Sequence, residues 1–253
     1  MRKSVIAAVC GCALPVLAGV SAAGTITLDY PEANIASFSG GVMDARYRVS
    51  NTNWDQIIAT DSNITPSVIV QQANFGTHNQ LNGATWDFSI SYSPANGWAY
   101  RLGLVSGGSP NTSSSTLVWN APFNGTAFDR SFNALEMFAV IGGLPAGISS
   151  MSMAATGLTF SSPGNTIVGT LPNVISTGGL VRTWVYSDSD LASTAWTLSG
   201  RLVGSFVGST SSNLDERIKF DVKGTTVTLI PTPAASAMLG MGALFSARRR
   251  RQA

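Results

Sequence analysis

The residues that could carry chemistry are few and scattered. The chain has one histidine, His78, in the stretch NFGTHNQLNG. A Ser-His-Asp triad needs a nucleophile on a strained elbow, and no serine stands in a Gly-x-Ser-x-Gly frame. A zinc site would need carboxylates brought from elsewhere, since no second histidine exists. His78, with Asn74, Gly76, Asn79 and Asn82 around it, therefore reads as a structural or surface residue of a polar turn. Thirteen carboxylates offer many pairs for glycoside hydrolysis. That chemistry needs two acids roughly 5–10 Å apart across a cleft, and linear spacing selects none. Asp188 and Asp190 in SDSD present hard oxygens suited to calcium, but the loop spacing of a calcium hand is missing, so a solvated turn is expected. Asp215-Glu216 is equally unspecific. Of the six tryptophans, Trp86, Trp98 and Trp184 run in phase with aliphatic neighbours and read as core. Trp54, in SNTNWDQ, stands among polar residues and is the candidate for exposure, as a platform on which a sugar ring would stack.

The elements that must position these residues are strands. In ATWDFSISYS, Trp86, Phe88, Ile90 and Tyr92 fall on one face and Thr85, Asp87, Ser89 and Ser91 on the other. WAYRLGLV repeats the alternation, and Pro94, Asn96 and Gly97 between the two runs predict a hairpin. A second hairpin is predicted for RIKFDV and TTVTLI, with the reversal at Lys223-Gly224. Further strands are predicted at Thr25–Tyr30, Ala45–Ser50, Ser67–Gln72, Thr116–Asn120, Ile148–Ala154, Thr166–Thr170, Leu180–Tyr186 and Ala195–Val203. In NALEMFAV, residues 133–140, Leu135, Phe138 and Ala139 fit a short helix, while Ala134, Glu136 and Phe138 alternate less well as a strand. Short strands between Gly/Pro/Asn turns, with no internal repeat and no long linker, predict one all-β domain over residues 24–230. An antiparallel, jelly-roll-like β-sandwich is expected, with a closed barrel as the alternative.

The N-terminus reads as a secretory signal peptide. Arg2 and Lys3 precede an apolar run from Val5 to Val20, which closes on Ser21-Ala22-Ala23, so cleavage is expected after Ala23. This implies the secretion translocase and a signal peptidase as partners. Both cysteines, Cys10 and Cys12, lie in that segment, leaving the remainder without disulfides or thiolate ligands. No cofactor is expected. The formal charge of +2 is a property of the ends: residues 24–230 hold nine cations against thirteen carboxylates, a net charge of −4. A mildly acidic body with no basic stripe disfavours nucleic acid as a partner. Asn63, Asn111 and Asn124 head Asn-x-Ser/Thr triplets, which matter only in a host that glycosylates exported proteins.

The C-terminus is PTPAASAMLGMGALFSARRRRQA, residues 231–253. As a helix, the uncharged run 234–247 would span about 21 Å, short of a hydrocarbon core of about 30 Å. Arg248, Arg249, Arg250 and Arg251 behind it favour a cytoplasmic end. A plain membrane anchor is one reading. The order of proline motif (Pro231, Thr232, Pro233), small-residue hydrophobic helix and terminal arginine cluster resembles the PEP-CTERM sorting signal of exported bacterial proteins. Thr232 stands where the namesake motif carries glutamate. Thr77-His78-Asn79-Gln80 is similar to the Thr-His-x-Asn motif of one subgroup of those proteins, with Gln80 in place of asparagine. The resemblance implies tethering to the inner membrane, then processing near the proline motif by an exosortase-like transpeptidase. It also implies a place at the cell surface or in a matrix of extracellular polysaccharide. The expectation is a non-enzymatic exported protein; the alternative is a carbohydrate-binding module or glycan-active enzyme on the same scaffold.

Overall fold

The computed structural model describes residues 23–39, 41–50, 53–59, 69–107, 114–119, 131–208 and 214–231. The predicted signal peptide up to Ala22 and the tail from Thr232, with Pro233 and Arg248 to Arg251, lie outside the described residues. Among the described residues no helix is long and apolar enough to cross a membrane.

The chain is all-β. Its strands are β1 (Thr25–Leu28), β2 (Ile35–Phe38), β3 (Met43–Val49), β4 (Asn53–Ala59), β5 (Ile69–Thr77), β6 (Thr85–Ser93), β7 (Gly97–Ser106) and β8 (Ser114–Trp119). There follow β9 (Ala134–Ile141), β10 (Ile148–Ser161), β11 (Thr166–Val168), β12 (Val174–Ser176), β13 (Gly179–Ser187), β14 (Trp196–Gly208), β15 (Ile218–Thr225) and β16 (Val227–Leu229). One helical turn, α1 (His78–Leu81), joins β5 to β6. An eight-stranded sheet runs β11-β1-β13-β9-β15-β3-β4-β5, and a six-stranded sheet runs β12-β10-β14-β6-β7-β8. Among the described residues every pairing is antiparallel except β1 with β11, which is parallel.

The two large sheets pack face to face as a β-sandwich. Alternation dictates which side chains meet: Trp86, Phe88, Ile90 and Tyr92 of β6 are buried, while Thr85, Asp87, Ser89 and Ser91 face outward. Across the interface Phe88 meets Phe220 of β15 with ring centroids 5.5 Å apart, and Trp86 meets Phe75 of β5 at 5.0 Å. A second cluster, Trp98 against Trp196 at 4.8 Å and Phe132 at 5.6 Å, closes one end of the core. Such rings remove large apolar areas from water and hold the sheets in one alignment.

The predicted hairpin at Ser93–Gly97 is present, with Gly97 at φ +68°. The second predicted hairpin is not. β15 runs straight through Lys223-Gly224, where Gly224 pairs with Met43 and Leu135 on its two sides. Gly224 makes no turn; Phe132 and Val42 lie 3.4 Å from where its Cβ would be, so it makes room for packing. The chain instead leaves the sheet after Thr225, and β16 pairs with β2 in a two-stranded ribbon. That ribbon lies on the outer face of the large sheet, where Val227 packs with Trp184 and Ala134. NALEMFAV is the central strand β9, and its helix-like pattern has a physical cause. Six consecutive residues from Ala134 to Ala139 are buried, because both faces of the strand are covered. Alternation vanishes in a strand of that kind.

Candidate functional site

Trp54, the predicted exposed platform, is fully buried. It sits on the core face of β4, stacked on Tyr47 at 5.2 Å between ring centroids and 17° between planes. Its ring tip fills the space over Gly204 of β14, where a Cβ would collide with it. Of the polar neighbours that suggested exposure, Asp55 points to the opposite face, while Gln56 shares the core face and is buried, donating to the Tyr100 carbonyl at 3.1 Å. Trp54 therefore offers no stacking surface to a sugar.

His78 is also buried, and its Nε2 lies 2.8 Å from the Ser50 carbonyl oxygen. The peptide oxygen of the same residue accepts from the Trp54 indole at 3.4 Å, and Gln80 Oε1 accepts from the Thr77 amide at 3.0 Å. The THNQ stretch is thus a cap-and-turn device that seats α1 against β4. The aspartates of SDSD are committed to backbone amides. Asp188 Oδ1 accepts from Thr25 at 2.9 Å, and Asp190 Oδ1 accepts from Phe132 at 3.1 Å and from Ala192 at 2.9 Å. They tie the turn to β1 and to the start of β9.

The densest cluster of ionisable groups, missed at the level of single motifs, lies on the outer face of the eight-stranded sheet. β3 presents Asp44, Arg46 and Arg48; β15, antiparallel beside it, presents Lys223, Asp221 and Lys219 in register. The strands thus set opposite charges across from one another at two pairs, Asp44 with Lys223 and Arg46 with Asp221. Arg46 Nη2 lies 3.0 Å from Asp44 Oδ2, and its Nε lies 3.0 Å from Asp221 Oδ1. Arg48 holds Asp55 of β4 at 3.0 Å and also contacts Glu216, which bridges back to Arg46 at 3.4 Å. Gln72 donates to Asp55 at 2.8 Å. At the far side, Arg182 of β13 joins Glu136 of β9 at 3.0 Å, and the Lys223 ammonium lies 4.8 Å from the Phe138 ring centre.

Asp44, Asp55 and Asp221 are wholly buried, and Arg46 nearly so. Burial pushes the Asp44 carboxyl up to about 7, with the charge of Asp221 adding to the rise and Arg46 and Lys223 opposing it. Burial likewise raises Asp221, Asp55 and Glu136 against the pull of their cationic neighbours. For Arg46 burial works downward, but Asp221, Asp44 and Glu216 outweigh it and the net shift is upward. Such a lattice binds sheet strands to one another and takes up protons; its buried carboxyls are closed to a substrate. The signal for it was in the sequence as two charge repeats of period two, Asp44-x-Arg46-x-Arg48 and Lys219-x-Asp221-x-Lys223, which are complementary at two of three positions when antiparallel.

The outer face of the six-stranded sheet has a different character. Hydroxyls line up in register across it: Ser91 with Thr197, Ser89 with Ser199, and Ser199 with Thr159 at 2.8 Å between oxygens. A shallow hollow of about 460 Å³ opens where β10 bulges between Thr156 and Thr159, and its lining includes Thr156, Ser199 and the exposed Asp87–Arg201 ion pair at 3.0 Å. A second hollow, of about 170 Å³, lies beside Ala23 at the start of the described chain. The first hollow is lined by one carboxylate and the second by none, so neither contains the facing acids that glycoside hydrolysis uses. At the other end, Ile230 donates to Asn34 at 2.9 Å, and exposed Pro231 follows it. Compared with known proteins, the chain matches no family model and no curated protein.

Proposed function

We propose that this is an exported, non-enzymatic protein of the bacterial cell surface or extracellular matrix, a jelly-roll-like sandwich delivered by a PEP-CTERM-like tail. The observation that carries the reading is the match between the limits of the fold and the limits of the terminal signals. Among the described residues the first bound into the sheets is Gly24, one past the expected cleavage point. Ile230 makes the ribbon's closing bond one residue before Pro231, where the sorting motif starts. A body whose described strands lie between residues 25 and 229 keeps every one of them when both address segments are cut away. The partners on this reading are the translocase, a signal peptidase, the inner membrane through the tail, an exosortase-like enzyme and surrounding polysaccharide. The test is fractionation of cells carrying an epitope in the Ser93–Gly97 turn. The epitope is expected in the envelope or medium; full-length protein soluble in the cytoplasm would overturn the proposal.

A second reading is supported by the hydroxyl rows and the Asp87–Arg201 hollow: a neutral polysaccharide laid along the outer face of the six-stranded sheet. Planar ionic side chains and hydroxyls suit sugar hydroxyls as donors and acceptors. Polysaccharide binding that Arg201→Ala abolishes and Trp54→Phe leaves intact would support it. Binding indifferent to Arg201 would remove this face.

A further inference from the structure

The second hollow, partly lined by Ala23, lies at the start of β1. Gly24 is buried, and its amide donates to Asn165 Oδ1 at 2.9 Å while its carbonyl accepts from Thr166 at 2.9 Å. The acceptor is held in place: Asn165 Nδ2 donates to Ser162 Oγ at 2.9 Å and to Thr194 Oγ1 at 3.0 Å, so the amide can present only its oxygen to Gly24. A Cβ on Gly24 would run into the Ser189 hydroxyl and lie 3.1 Å from Asp188 Oδ1. The same Asp188 oxygen accepts from Thr25 at 2.9 Å. The Gly24 nitrogen thus has an oriented amide oxygen in contact, and a carboxylate and a hydroxyl flank the Cα of the same residue, beside a polar hollow that Ala23 partly lines.

We infer that this is a receptor for the α-ammonium of Gly24, the group that hydrolysis of the Ala23–Gly24 peptide bond creates. The inference rests on the export reading, in which a signal peptidase makes that cut. The reaction consumes one water, leaving a carboxylate on Ala23 and an amine on Gly24 that takes up a proton at neutral pH. The new cation keeps the Asn165 bond and turns its added protons toward Asp188 and the hollow, an arrangement that a peptide nitrogen with one proton cannot complete. A consequence concerns order. With Gly24 buried, Thr25 paired with Thr166 of β11 and Ile26 with Ser187 of β13, the scissile bond cannot be drawn out as an extended segment. The cut therefore precedes the docking of β1, and docking then seals the new end.

The test uses two forms of the whole chain in detergent micelles, the precursor 1–253 and a chain made to begin at Gly24 by removal of a fusion partner. In the second form the α-amino group, Lys219 and Lys223 are the only amines, so acylation at each is read by mass spectrometry. The α-amino group is expected to react at least tenfold more slowly in the folded chain than in the unfolded one. Asn165→Ala or Asp188→Asn is expected to restore most of that rate while Lys219 and Lys223 react as before. An α-amino group as reactive folded as unfolded, or unaffected by both substitutions, would overturn the receptor. Incubating the folded precursor with signal peptidase tests the order: slow cleavage is expected, accelerated at least tenfold by Ile26→Asp, which prevents β1 from docking. Equal cleavage of both would overturn the order of events. If the exported protein is found by intact mass to begin elsewhere, the export reading fails at that point, while the chain built to start at Gly24 still decides the receptor.

Discussion

Replacing Arg46 by alanine would leave Asp44 and Asp221, both fully buried, with only the ammoniums of Lys219 and Lys223 at 3.9 Å. Breaking a buried ion group in this way is strongly destabilising, and a loss of about 3–5 kcal/mol is expected in urea unfolding. Arg46→Met combined with Asp44→Asn and Asp221→Asn should recover most of it, because no buried charge is then stranded. The same residues set an unusual pH dependence. Asp44 keeps its proton in the folded chain up to about pH 7, whereas the unfolded carboxyl releases it near the ordinary 3.8. Folding takes up a proton between those values, so this contribution is full below the lower one and is lost as pH rises through the upper. Asp221, Asp55 and Glu136, also raised, act in the same direction. The expected outcome is a Tm that rises by several degrees from about pH 7.5 to about pH 5, with a smaller rise in Asp44→Asn. Trp54→Ala belongs at this scale too. It should cost about 3–5 kcal/mol of stability, the price of a truncated core ring, measured by the same unfolding.

Two glycines separate a turn from a strand at the level of elements. If Lys223-Gly224 were a tight hairpin, Gly224→Ala would strain a positive φ and be costly. In the straight β15 its Cβ would meet Phe132 and Val42 at 3.4 Å, a close but adjustable contact. Gly224→Ala is therefore expected to shift stability by less than about 1 kcal/mol. Gly204→Ala, which drives a methyl into the Trp54 ring, should cost about 1–3 kcal/mol. A reversed order of the two in thermal unfolding would contradict the strand arrangement. β6, β7 and β14 were legible from sequence because water lies on one side of the six-stranded sheet and they alternate; β3 and β15 were legible too, because the side chains opposite their apolar ones are charged although mostly buried. β4 escaped notice because Asp55 and Gln56 look solvent-facing, yet both are buried, one in the ion lattice and one donating to the Tyr100 carbonyl at 3.1 Å. β9 remained ambiguous because both its faces are covered.

For the molecule as a whole, the two ends of the fold set what processing can remove. Cleavage after Ala23 and near Pro231 would take away both terminal segments without breaking a described strand, since β1 begins at Thr25 and β16 ends at Leu229. Intact mass of the extracellular form is expected to correspond to a chain starting at Gly24 and ending near the proline motif. A mass retaining residues 232–253 would favour a plain anchor. The processed body should keep the Tm of the longer chain to within a few degrees, because every described core residue lies between Ile26 and Leu229.

Composition, alternation and the two charged ends were enough to determine an all-β body with an acidic balance and a terminal segment on each side. Those are properties of local order, in which neighbouring residues along the chain report the wet and dry faces of a strand. The role of each polar residue was decided only by the tertiary structure. Whether Trp54 meets water depends on Tyr47 and Gly204, 7 and 150 positions away. Asp44, Arg46 and Asp221 form one charge group because β15 returns antiparallel beside β3. Gly24 finds its acceptors on Asn165 and Asp188 because β1 inserts between β11 and β13. Burial and pairing are properties of the space between strands, and strand order is set by long-range packing that period-two alternation does not encode.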